Sequence, residues 1–447
     1  MPRPVARPLA ALVGLLVGLL AVLAPAAPAA PAQAPNVVTP GNFTGYGFDQ
    51  CLAPTQKAMN TWLKHSPFLS VGIYISGDSR ACRSQPNLTQ DWISTQLRKG
   101  WRLLPISLGP QASCSTRFPR YGNDETIKPK PGASGKYKPA RSQGRAEAAS
   151  AVAAAKALGI VPGSTLWYDL EGFDQTNKHC RESALSFLSA WTSRLHELDY
   201  VSGVYSSVGS GIKVLDDARV KRPHAFTMPD AIWLARWDGE ANTSSSYIRE
   251  DGWRPGGRVK QYMGGHDETW GGVRINIDRN FLDLGKGSVA VPETHCDGVP
   301  VDLANYQPVK PGTTATDRVR ALQCLLTENG VYDGKLSGAY SPATIEAAHA
   351  WQERRALTVS DKWTRTAWMT LLATGPRAIV KFGSAGNEVR RIQRALNAVS
   401  KSAQLEVTGV FAGATDKALR AYQERVDLKP SGVAAPATWK ALRAGTR

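Results

Sequence analysis

The sequence predicts an α/β protein: a TIM-type (β/α)8 barrel followed by two small three-helix bundle domains. Three observations carry this expectation. Between residues 44 and 286, eight short apolar segments alternate with helical patterns. That span is close to the ~250 residues of a typical eight-stranded barrel. Beyond it, a residue pattern recurs with a period of about 71.

Residues 1–34 are of another kind. Arg3 and Arg7 precede an uncharged run from Leu9 to Ala24, followed by an Ala/Pro stretch containing Ala30-Pro31-Ala32. These are the parts of a secretory signal peptide. The run falls short of the ~18–20 residues that span a bilayer. A cleaved signal is therefore expected over a retained anchor, with no stable membrane span after cleavage and a secreted, extracellular protein.

The expected strands are Gly45–Asp49, Val71–Ser76, Trp101–Leu108, Thr165–Glu171, Val201–Ser206, Ala231–Trp237, Arg258–Tyr262 and Ile275–Phe281. Most are short, apolar and bounded by Gly, Ser or Asp, as buried parallel strands are. Helical patterns at Pro54–His65, Leu88–Lys99, Arg145–Leu158 and Cys180–Glu197 separate the earlier ones; later helical patterns are weak. An open doubly wound sheet is the alternative. Arg117–Arg141, rich in Lys, Pro and Gly, reads as a long loop over one barrel end.

Residues 287–311 turn to Val, Pro, Gly and Thr and read as a linker. The repeats follow at 312–376 and 378–445. Val319, Leu322 and Gln323 recur as Val389, Ile392 and Gln393. Tyr340, Thr344, Trp351-Gln352 and Trp368 recur as Phe411, Thr415, Tyr422-Gln423 and Trp439. Apolar residues at three- and four-residue spacing give each helix one buried face, and each copy is expected to be its own small domain.

Six cysteines in an exported chain suggest three disulfides. Cys296–Cys324 would staple the first repeat. Cys51–Cys82 and Cys114–Cys180 are the working pairs for the rest, with connectivity open from sequence alone. No CxxC, HxH, HExxH, P-loop, GxSxG or dinucleotide pattern occurs, so neither a metal nor a cofactor is expected. The 54 Lys and Arg against 37 Asp and Glu, +17, favour a polyanionic partner. Outside a bacterial membrane that is an anionic wall polymer rather than nucleic acid.

In such a barrel chemistry sits at the C-terminal ends of the strands. Asp49 ends the first strand, Asp169 and Glu171 the fourth, and Asp278 lies in the last. Residues two apart on a strand share a face, with Cα atoms roughly 6.5–7 Å apart, so Asp169 and Glu171 should both face the barrel axis. Convergent carboxylates raise at least one pKa and keep one acid protonated. Glycosidic cleavage needs one such acid and one carboxylate. Trp237, Tyr205, Gln261 and Tyr262, near strand ends, supply flat faces and hydrogen bonds suited to sugar rings.

Gly47-Phe48-Asp49, Tyr168-Asp169-Leu170-Glu171 and Ile277-Asp278 resemble a glycoside-hydrolase-like domain of unknown function from exported actinobacterial proteins. That domain is related to the lysozyme-type muramidases of glycoside hydrolase family 25. The resemblance implies Glu171 as general acid, Asp169 as stabiliser, and Asp49 and Asp278 as supporting groups. The first strand departs from the muramidase pattern, reading Phe48-Asp49-Gln50-Cys51 in place of a D-x-S-type start. The C-terminal repeats resemble three-helix peptidoglycan-binding domains, and from Cys296 on they hold 21 Lys and Arg against 13 Asp and Glu. The expectation is a secreted, wall-associated glycoside hydrolase acting on peptidoglycan or a related glycan. The alternative is a catalytically silent wall-glycan-binding or structural protein. A wall amidase would lack its metal-ligand or nucleophile motif.

Overall fold

The computed structural model describes residues 1, 35–115, 123–303, 305–400 and 404–447. The expected signal segment, Met1 apart, and residues 117–122 of the expected long loop lie outside the described residues. Among the described residues, no helix is long and apolar enough to cross a membrane.

Eight strands close into a barrel in sequence order. They are β1 (Phe43–Asp49), β2 (Ser70–Ser76), β3 (Arg102–Ser107), β4 (Thr165–Asp169), β5 (Val201–Ser207), β6 (Ala231–Ala235), β7 (Gly257–Trp270) and β8 (Val273–Leu284). Closure excludes the open doubly wound sheet. Helices follow the first five strands: α1 (Gln56–His65), α2 (Gln90–Arg98), α3 (Lys138–Ala157), α4 (Lys178–Glu197) and α5 (Lys213–Lys221). Side chains cap several N-termini: Thr55 accepts from the Ala58 amide, Thr89 from that of Trp92, and Asn177 from that of Cys180.

The expected (β/α)8 alternation does not run to the end. Residues 236–256 join β6 to β7 without a helix, and β8 runs antiparallel to both β7 and β1. The cause is local. Gly271 and Gly272, at φ +57° and +79°, close a two-residue turn after β7. Two left-handed residues suit such a hairpin, whereas a parallel return needs a dozen or more residues. The reversal sets Asp49 opposite Asp278 across the β1–β8 pair. The first and last acids thus meet although one strand is reversed.

The C-terminal third holds α6 (Thr316–Glu328), α7 (Pro342–Arg354), α8 (Arg365–Leu372), α9 (Asn387–Val399), α10 (Gly413–Arg425) and α11 (Pro436–Ala444). Each copy begins with an isolated antiparallel bridge, Val309 with Trp363 and Val380 with Ala434. In the first copy the Gln323 amide accepts from the Gly338 N–H at 2.9 Å and donates to Thr344 at 2.9 Å. Gln393 does the same with Gly409 and Thr415, at 2.9 and 3.0 Å. The Trp368 and Trp439 indoles donate to the carbonyls of Gln307 and Ala378. The repeated Gln, Thr and Trp are therefore the buried polar anchors of one architecture used twice.

Two expectations are modified here. The copies do not have separate cores: Leu322, Trp368, Ile392 and Trp439 belong to one apolar cluster. The described residues of the segment 287–311 have little regular structure, yet they bury Val301, Tyr306 and Val309 in that cluster.

The second copy also sits on the barrel. Lys381, 1% exposed, donates to the carbonyls of Ser66 at 2.8 Å and Phe68 at 2.9 Å, just past the C-terminal end of α1. Such carbonyls favour a cation. Phe382 packs edge-on against Tyr46 and Phe281. The three disulfides are Cys51–Cys82, Cys114–Cys180 and Cys296–Cys324, the expected pairs.

Candidate active site

The C-terminal ends of the parallel strands, with residues of the reversed β8, enclose a cleft of about 580 Å³. Asp49, Asp169, Glu171 and Asp278, the four expected acids, all line it, together with Tyr205, Trp237 and Gln261. Tyr262 does not. It follows Gln261 on β7, and neighbours on a strand face opposite sides. Tyr262 is instead buried outside the barrel beside Arg279 and Tyr46.

Asp49 is 4% exposed and held by two amides. Asn280 donates to its Oδ1 at 2.6 Å and Gln261 at 3.3 Å. Each amide is oriented by donors on its own oxygen. The Trp233 indole donates to Asn280 Oδ1 at 2.9 Å. Tyr205 and the Trp237 indole donate to Gln261 Oε1 at 3.0 and 2.9 Å. Both amide NH2 groups must therefore point at Asp49, which stays an acceptor. Room for its side chain comes from Gly72 on β2, where a Cβ would lie 2.6 Å from that of Asp49.

Asp278 is the proton-bearing partner. Burial, then the Asp49 charge and its hydrogen bond, then Glu171, push its pKa well above the carboxylate range. Burial also raises Asp49, while hydrogen bonds from Asn280, Gln261 and Asp278 pull it down. One proton shared by two carboxyls, carried by Asp278 and donated to Asp49, satisfies both.

Asp169, 3% exposed, accepts from the Tyr74 hydroxyl at 3.3 Å. Burial, then the charges of Asp169 and Asp49, hold Tyr74 protonated, so it remains a donor. Beyond β4 the chain is set by Gln111. Its amide donates to the Asp169 carbonyl and its oxygen accepts from the Glu171 N–H, both at 2.9 Å. Glu171 is thus placed at the cleft by a side chain from the loop after β3.

The mouth is aromatic. Trp237 is 62% exposed and packs on Gly264, while Tyr247 carries the Arg236 guanidinium 4.9 Å over its ring. Large exposed apolar groups at a concave mouth are the signature of a ligand platform. Trp233, by contrast, is core, with its indole committed to Asn280.

Several site residues are absent from the sequence reading. Asn280 could have been found, since it lies two residues past Asp278 on the same strand face. Tyr74 alternates inward on β2. Gln111 carries no such signal, because only the folded loop brings it to β4. The one candidate metal cluster among the described residues, Cys296, Cys324 and Glu328, includes a disulfide and lies away from the cleft.

Residues 60–282 match the Rv2525c-like, glycoside hydrolase-like domain family. Residues 385–442 match the peptidoglycan binding domain family. The chain carries a glycoside hydrolase-like domain and a peptidoglycan-binding domain. The first match holds Asp169, Glu171 and Asp278, with Asp49 upstream of it; the second falls on the second repeat copy. Among solved structures, an uncharacterized B. stearothermophilus protein is 18% identical, over 53% of this chain and 95% of its own, with a TM-score of 0.33. The modular autolysin LytC from Streptococcus pneumoniae is 13% identical, over 53% of this chain and 46% of its own, also at 0.33. The present chain thus spans under half of that autolysin. No curated protein matches the chain. The two domains together point to a cell-wall-associated, glycan-active protein.

Proposed function

We propose that the protein is an exported, wall-associated glycoside hydrolase that cleaves the glycan of peptidoglycan. The observation that carries this reading is the cleft itself. Four acids converge there beneath an exposed tryptophan, and two of them, Asp49 and Asp278, lie directly opposite each other across the β1–β8 pair. In this reading Glu171 protonates the glycosidic oxygen as the C–O bond breaks. Asp169, steadied by Tyr74, stabilises the positive charge at the anomeric carbon. Water then adds to that carbon and its proton returns to Glu171. Asp49 and Asp278 position the floor of the cleft.

The first repeat copy is read as a second peptidoglycan-binding module. Its bridge, its Gln323 anchor and its Trp368 contact match those of the second copy one for one. Two modules on one chain raise the local concentration of substrate at the cleft.

Mass spectrometry of fragments freed from purified peptidoglycan tests the reading. Soluble fragments with new reducing sugar ends and intact stem peptides are expected. Wall binding with no fragments, across several preparations, would make this a glycan-binding protein instead.

A further inference from the structure

The connector between the repeats, residues 373–377, is ringed by arginines from both copies. Arg355 follows α7, Arg377 lies in the connector, and Arg391 and Arg443 come from α9 and α11. Two are fixed by stacking on buried indoles: Arg355 lies 4.5 Å over Trp351 and Arg391 4.6 Å over Trp439. The hydrogen bonds of the cluster go to neutral oxygens. Arg355 Nη2 reaches Thr374 Oγ1 at 2.9 Å, and Arg391 reaches the carbonyls of Pro376 at 2.9 Å and Ala373 at 3.0 Å. Arg443 Nε reaches Ala373 at 3.1 Å, and its Nη2 the Gly375 carbonyl. Among the described residues none of the four is ion-paired.

Part of this has a structural use. Carbonyls at the end of α8 need donors, and Arg391 and Arg443 supply them. Arg355 and Arg377 are surplus to that need, and they add charge where charge already repels. Burial, then Arg377 and Arg355, lower the pKa of Arg443. Burial, then Arg443, lower that of Arg391 to about 10, with Glu388 and Glu293 offsetting only part. Arg377 is exposed, Arg355 is half-buried, and Arg355 Nε is buried without a hydrogen-bond partner. Preorganised, partly desolvated guanidiniums without a carboxylate are suited to an oxyanion.

We propose that Arg355, Arg377 and Arg443 form a site between the repeats for the carboxylate groups of peptidoglycan stem peptides. This rests on the peptidoglycan-binding reading of the repeats and names the chemistry that the pair recognises. It also explains why the copies share one core: the site exists only while both hold the connector.

The test is co-sedimentation of the full chain with peptidoglycan stripped of phosphodiester-linked polymers, and with the same material after amidation of its carboxyls. The variant is Arg355→Gln with Arg377→Gln, which leaves the α8 carbonyl donors in place. Arg377→Gln alone serves if the double variant melts early. We expect the double variant to bind native peptidoglycan about tenfold more weakly, one charge-assisted contact being worth roughly that much. Amidated walls should bind wild type and variant alike. Equal binding of wild type and variant to native peptidoglycan, or wild-type indifference to amidation, would overturn the site alone. Wild-type binding only to walls that keep their phosphodiester polymers would overturn the carboxylate assignment. No wild-type binding to any preparation would overturn the reading of the repeats and the site with it.

Discussion

The cleft and the repeats treat buried polar groups in opposite ways. In the repeats each central glutamine spends its whole amide on fixed partners: Gln393 takes the Gly409 N–H and gives to Val410 and Thr415. A glutamine amide does not titrate. In the cleft, carboxyls are crowded against one another, and burial together with the Asp49 charge pushes the pKa of Asp278 up. A satisfied network specifies a fold, whereas an over-supplied one stores reactivity. The molecule keeps the two apart, with the crowded acids in the cleft and the glutamine-centred networks in the helical copies.

That contrast can be broken from the repeat side first. Gln393→Ala would leave a buried N–H, carbonyl and hydroxyl short of partners. It should destabilise the repeats by about 2 kcal/mol, measured by urea unfolding, and leave the cleft acids untouched. If stability is unchanged, the amide is not the anchor that its bonds suggest. A smaller effect is expected at the cleft mouth. Trp237→Ala removes the exposed platform and one of the two donors that orient Gln261. It should weaken binding of a soluble peptidoglycan oligosaccharide by about tenfold, as loss of an interface aromatic does. Retained affinity would move the sugar platform elsewhere.

The smallest effect sharpens the cleft side. Folded Asp278 keeps a proton that the unfolded chain releases near pH ~3.9. The folded state therefore binds more protons above that pH, and stability falls as pH rises through the raised folded pKa. Asp278→Asn should remove this loss. Its melting temperature should drop less than that of wild type between weakly acidic and weakly alkaline buffers. A steeper drop in the variant would place the shared proton on another group.

Much of this arrangement was legible in the sequence. The Asp169-Leu170-Glu171 motif points to one cleft, and both acids line it with Asp49 and Asp278. The expected strand through Glu171 stops at Asp169, however, and Gln111 rather than strand alternation sets Glu171. The direction of β8 was not legible, because two glycines in a row read as loop until the strands on either side are seen to pair. Tyr262 reads from the sequence as a site residue beside Gln261, although strand alternation puts only one of them inside. Lys310 and Lys381 occupy matching places after the two bridges, yet Lys310 is exposed and Lys381 is buried under α1. A repeat pattern cannot distinguish these, since the difference lies in the barrel that the second copy meets. The departure at Gln50-Cys51 has a structural counterpart: Cys51 is tied to Cys82, and both line the cleft.

The most direct measurement is the initial rate of reducing-end release from purified peptidoglycan by wild type and Glu171→Gln, with bound protein quantified in the same tubes. The expected result is at least an approximately hundredfold lower rate for the variant, the usual contribution of a general acid, with wall binding unchanged. Equal rates from the two proteins would contradict the assignment of the chemistry to Glu171.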